Sequence, residues 1–83
     1  MALSFEYVLV TKTGYVYTGR TGSGFASKFL NDAFAYTAEG AARKLTTGYP
    51  FQHYKALRID DIPTLWNTNQ TYEIDAKKLE LLF

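Results

Sequence analysis

The sequence predicts an α+β fold: a small antiparallel sheet that begins with an N-terminal β-hairpin and carries one main helix packed on one face. Three observations predict it. Residues Leu3 to Thr11 alternate, with Leu3, Phe5, Tyr7 and Leu9 on one side and Ser4 and Glu6 on the other, the pattern of a half-buried strand. A turn at Lys12-Thr13-Gly14 is followed by an aromatic and β-branched run, Tyr15 to Gly19, that reads as the returning strand. Further on, an alanine-rich segment begins at Thr37, a residue suited to capping a helix.

The elements follow in order. Val8 and Val10 break the polar side of the first strand, so its far end is expected to be covered on both faces. Gly14 suits the positive φ of the turn. Gly19-Arg20-Thr21-Gly22-Ser23-Gly24 ends the second strand as a flexible connection, Asn31-Asp32 signals a turn, and Ala33 to Tyr36 reads as a short strand. The helix is expected from about Ala38 to Thr47, with Ala38, Ala41, Ala42 and Leu45 on its buried side. Glu39 in its first turn and Arg43 and Lys44 towards its end suit the helix dipole. Gly48 closes it and Pro50 blocks continuation.

Phe51 to Ile59 reads as the next strand, with Leu57 and Ile59 inward. Asp60 to Trp66 reads as a capped helical turn, Asn67-Thr68-Asn69 as a loop and Gln70 to Ile74 as a last strand. Asp75 can cap a terminal helix holding Leu79, Leu82 and Phe83, although the tail reads equally well as strand.

Composition bounds the function. Eighty-three residues make a single domain, 1–83, with room for one core. There is no cysteine, which removes disulfides, thiolate zinc sites and thiol nucleophiles together. The N-terminus has neither the basic start nor the apolar stretch of a secretory signal. No run reaches the ~18 apolar residues of a membrane span. The expected location is cytoplasmic, without a membrane partner. Seven Tyr, six Phe and one Trp exceed what so small a core can hide, so some are expected at an interface, and a homodimer is the default expectation.

The net charge of +1 is a cancellation. Residues 1–58 carry seven Lys and Arg against three Asp and Glu, a net of +4; residues 59–83 carry two against five, a net of −3. A basic body interleaved with rings is what single-stranded nucleic acid binding uses; the plainer reading is core aromatics under an ordinary charged surface. Six residues are the expected phosphate contacts: Arg20, Lys28, Arg43, Lys44, Lys55 and Arg58. Tyr15, Tyr17, Tyr49 and Trp66 are the expected anchors of a protein interface.

Other candidates are poorer in chemistry. Gly19 and Gly24 have phosphate-loop spacing, but Phe25 and Ala26 stand where the Lys and hydroxyl residue belong. Nucleotide hydrolysis is therefore rejected, although Arg20, Thr21, Ser23 and the loop amides could hold one phosphate. His53 is the single histidine, and its spacing to Ser4, Ser23, Ser27, Asp32, Asp60 and Asp61 indicates no triad. Asp60 and Asp61 with Glu73 or Asp75 could ligate magnesium, but adjacent acids before a helical turn read better as caps. No catalytic residue, metal or cofactor is expected.

The tyrosine-rich hairpin, Tyr7-Val8-Leu9-Val10 returning through Tyr15-Val16-Tyr17, leads through the glycine loop to Asp32-Ala33-Phe34-Ala35-Tyr36-Thr37 and the helix Ala41-Ala42-Arg43-Lys44-Leu45. Over roughly Phe5 to Ile59 this resembles small accessory proteins of tailed phages, of the toxin-inhibitory-factor type. The resemblance implies a non-enzymatic protein that binds and inhibits a host defence factor, such as an endoribonuclease toxin, with single-stranded RNA in the complex. It supplies no functional residue. The alternatives are a purely protein–protein inhibitor and, behind it, a small His53-dependent enzyme.

Overall fold

The alternating N-terminal segment becomes strand β1, Tyr7–Thr11, in a computed structural model that describes residues 4–49, 51–66 and 72–83. The start of the first strand at Leu3, the helix stop at Pro50, the loop Asn67-Thr68-Asn69 and the start of the last strand at Gln70-Thr71 lie outside the described residues, as does the side chain of Trp66. Strand β2, Val16–Tyr17, returns antiparallel to β1, and β3, Ala26–Ser27, pairs with β2. Helix α1, Ala38–Leu45, precedes β4, Tyr54–Arg58. A separate hairpin of β5, Thr64–Trp66, and β6, Tyr72–Ile74, leads to α2, Ala76–Leu79. The main sheet has the order β3-β2-β1-β4, and β1 pairs β4 in antiparallel register from Tyr7↔Arg58 to Thr11↔Tyr54.

The expected α+β architecture, hairpin plus main helix, is present. The coverage of β1 on both faces is also as the sequence suggests. Leu9 is fully buried against Ala41 of α1 and Phe51, with Tyr7, Tyr17, Tyr36, Leu45 and Tyr54 around them. Val8, Val10 and Val16 point the other way, into a second core with Ile62, Ile74 and Leu79. The β5–β6 hairpin and α2 form that second layer, so the sheet is a filling between two layers.

The turn at Gly14 takes φ +92°, and a Cβ there would lie 3.1 Å from Ala76 Cβ. Glycine is therefore needed both for the turn and for the approach of α2. Helix α1 starts as expected: Thr37 Oγ1 accepts the Gly40 N–H at 3.0 Å, a cap worth about 1 kcal/mol. The helix ends at Leu45, before Thr47. The Thr46 and Thr47 hydroxyls donate to the carbonyls of Arg43 and Lys44, both at 2.7 Å, which satisfies the groups a further turn would have used. Of the expected alanine face only Ala41 is fully buried; Leu45 is half-buried, and Ala38 and Ala42 are exposed. Ala42 lies about 100° round the helix from Ala41, so a single line of the helix meets the sheet.

Four other expectations change. The glycine segment is a tied connection between β2 and β3. The Thr18 hydroxyl donates to Gly24 O at 2.6 Å, and the Thr18 N–H to Phe25 O at 3.0 Å. Ala33 to Tyr36 forms no strand. Gly19, at φ +82°, diverts the chain away from β1. Tyr36 then takes the vacated place, exchanging both main-chain hydrogen bonds with Tyr7 at 2.9 and 2.7 Å. The strand expected from Phe51 begins only at Tyr54, because Phe51–His53 coils into a 3₁₀ turn that buries the Phe51 ring below α1. After a 3₁₀ turn at Ile59–Asp61, Thr64–Trp66 is strand, its β-branched and aromatic residues pairing with β6. The tail is helical, with Asp75 accepting the Lys78 N–H at 3.3 Å.

Candidate nucleic-acid interface

Because side chains alternate along a strand, β1, β2, β3 and β4 send Thr11, Tyr17, Ala26 and Tyr54 to the same face as α1. Tyr49 and the turn Phe51–His53 lie alongside. Between them lie two adjoining hollows of about 240 and 340 Å³. The first reaches from Thr13 and Tyr15 at the hairpin tip to His53 and Tyr54. The second reaches from Tyr17 and Phe51 to Arg20, Thr21 and Gly22 in the glycine connection. Phe25 and Tyr49 line both, so they form one groove.

The floor of this groove is a cluster of packed rings. Tyr17 and Phe51 meet at 4.9 Å between centroids and 87°, and Tyr54 packs on Phe51 at 5.8 Å. These contacts hold the rings in fixed orientations. Tyr49 stands free of the floor, 79% exposed, with His53 edge-on at 6.3 Å. Lys44, from the last turn of α1, holds its Nζ 5.0 Å from the Phe51 ring and 5.8 Å from the Tyr17 ring. The groove thus has Arg20 at one margin and Lys44 above its floor.

Of the expected anchors, Tyr15, Tyr17 and Tyr49 come together here. Trp66 lies in β5, opposite Tyr72, in the layer on the other side of the sheet. The six expected phosphate contacts do not form one patch. Arg20 and Lys44 border the groove, and Arg43 is exposed beside Lys44 on α1. Lys55 projects from the opposite face, donating to Leu82 O at 2.8 Å with its Nζ 5.5 Å from the Phe83 ring. Arg58 pairs with Glu6 at 3.4 Å. Lys28 lies over the ring of its neighbour Phe29 at 5.6 Å. Phe25 was not among the expected anchors; its place in the basic and aromatic run Tyr15, Tyr17, Arg20, Phe25, Lys28, Phe29 was the available signal.

His53 meets the Gln52 side chain at 3.4 Å, whereas Ser27 donates to Asp32 at 2.7 Å on the β3 side of the sheet. Among the described residues no three His, Asp or Glu side chains form a group that could hold a metal ion. No helix there is long and apolar enough to cross a membrane. No family model, curated protein or solved structure matches this chain.

Burial raises the Tyr54 hydroxyl above the ordinary value of 10.0, with Tyr17 and Tyr49 adding to the effect. Burial and Tyr17 do the same to Tyr36. A phenol whose folded value is raised holds its proton after the unfolded chain has lost it. Its stabilising effect is complete below pH 10 and is lost as pH rises through the folded value. Urea midpoints measured from pH 8 to 11 should therefore fall above pH 10, and fall less in a Tyr36→Phe, Tyr54→Phe variant. Parallel curves for the two proteins would contradict this assignment.

Proposed function

We propose that this is a non-enzymatic binding protein whose groove on the α1 face takes a short single-stranded RNA. Through that surface it engages and inhibits a host factor in the cytosol, such as an endoribonuclease toxin, as the phage accessory proteins it resembles would. One observation carries the reading: Phe25 and Tyr49 line a continuous groove whose wall includes Arg20, and Lys44 holds its Nζ over the Phe51 and Tyr17 rings of the floor. Rings accept the face of any base, and cations at the margin meet the phosphates between bases. The exposed Tyr49 ring has an open side for stacking. The protein-only reading rests on the same exposed rings, Tyr15 and Tyr49, acting as anchors in a partner's pockets.

Capture of partners from host lysate, with and without ribonuclease treatment, separates the two. The RNA reading expects the captured host protein to be lost on ribonuclease treatment; capture indifferent to ribonuclease supports the protein-only reading. Direct titration with single-stranded RNA adds a physical signature. Two or three phosphate contacts should give an affinity whose logarithm falls by roughly 1.4–2.1 per decade of salt, about 0.7 for each contact. No binding at low salt would remove RNA from the proposal.

A further inference from the structure

We infer that strand β4 is the seam of a symmetric homodimer in which two copies of the main sheet join edge to edge. The inference starts from where the main-chain groups of β4 point. Tyr7 donates its N–H to Tyr36 O and its C=O accepts the Tyr36 N–H, and the Ile59 N–H donates to Glu6 O at 2.8 Å. In an antiparallel pair such groups alternate in direction. Lys55 and Leu57 therefore bond to β1, while Tyr54, Ala56 and Arg58 turn their N–H and C=O groups outward. Among the described residues no strand lies on that side.

The two ends of the sheet differ. The β3 edge is only two residues long, and past it the chain turns to a single bridge from Phe29 to Glu73, with the Ile74 N–H donating to Lys28 O at 2.9 Å. The β4 side has five residues of regular strand, paired with β1 without a bulge. It contains no proline. Its one lysine, Lys55, is held on the face away from α1 by Leu82 O, out of the way of an incoming strand.

The occupant that fits is a second copy. A two-fold axis through Ala56 sets Tyr54 opposite Arg58, Lys55 opposite Leu57, and Ala56 opposite itself. Every outward main-chain group from Tyr54 to Arg58 then has a partner, and no like charges face each other. An axis moved to Lys55 would set that lysine against its own copy and leave Arg58 unpaired. The contact is isologous, as closed dimers require. The axis is perpendicular to the sheet, so both α1 faces and both grooves open on one side. The dimer doubles the groove without burying either.

Sedimentation of the full chain tests this, and its outcome is independent of RNA binding. The wild-type protein is expected to dimerise. Ala56→Pro removes only an outward N–H and should give a monomer with unchanged circular dichroism. The chain lacks cysteine, so Ala56→Cys adds a single thiol. Directly opposed Cα atoms lie about 5.5 Å apart in such a pair, within disulfide reach. Mild oxidation should cross-link Ala56→Cys, whereas Lys12→Cys, on the hairpin turn, should stay uncross-linked. A wild-type monomer at every loading concentration overturns the inference and leaves the edge to a strand of another protein. So does a dimer in which Ala56→Cys cross-links no faster than Lys12→Cys. If Ala56→Pro fails to fold, the thiol comparison still decides.

Discussion

Leu9→Ala is expected to lower the unfolding midpoint by tens of degrees, and Leu79→Ala to do nearly the same from the opposite side of the sheet. Both side chains have no exposed surface. Leu9 stands where β1, α1 and Phe51 converge; Leu79 fills the second core with Val8, Val10 and Ile74. Truncating such a leucine costs about 2–5 kcal/mol, as lost transfer energy plus the cavity left behind. A domain of this length holds on the order of 4–12 kcal/mol in total. One substitution therefore removes about a sixth of the stability or more. At about 4–8 °C per kcal/mol for a small domain, the shift is roughly 8–40 °C. Leu81→Ala, at a side chain 85% exposed, should stay within about 0.5 kcal/mol of wild type. Thermal unfolding followed by circular dichroism reads all three. A neutral Leu79→Ala would mean that α2 does not close the second face.

Leu9 and Leu79 also show which parts of the fold are legible in the sequence. The burial of Leu9 is plain because alternation over several residues has one solution, a strand with a buried face. Val8 and Val10 add that the other face is covered, but nothing local says by what. The helix at Thr37 is legible for a similar reason, since its cap and charged ends are local signals. Ala26–Ser27 is illegible as a strand: neither residue favours one, and only pairing with Val16 and Tyr17 makes it so. Ala33 to Tyr36 is the reverse case. Its aromatic run suits a strand, yet only Tyr36 forms a bridge, to Tyr7, and Phe34 gives a single hydrogen bond to Tyr17 O. The charged residues were hardest to place, because which face a cation joins depends on strand register. Lys44 and Lys55 look equivalent in sequence, and the sheet lies between them.

That separation makes the groove variants decisive. Tyr49→Ala should weaken single-stranded RNA binding by about 1–3 kcal/mol, the worth of one stacked base, or roughly 5- to 150-fold. Its ring is exposed, so the fold should not change. Tyr49→Phe keeps the stacking surface and should bind nearly as wild type. Replacing Arg20 and Lys44 together by Ala should act differently. It removes two phosphate contacts, so the salt dependence should flatten by about 1.4 in logarithmic slope. Lys44 also sits over Phe51 and Tyr17, an exposed cation–π contact worth about 0.5–1 kcal/mol. Thermal unfolding of the same variant therefore separates a loss of binding from a loss of stability, and Lys44→Arg, which keeps the contact and the charge, should restore both. Lys55→Ala is the control on the opposite face, where the side chain serves Leu82 and Phe83. It should leave both affinity and salt slope unchanged. Equal weakening by Lys55→Ala and Lys44→Ala would mean that RNA sees only the summed charge of the chain, and the groove would lose its role. If none of these variants changes RNA binding while Tyr49→Ala weakens capture of the host protein, the groove instead takes an aromatic or apolar segment of a protein partner.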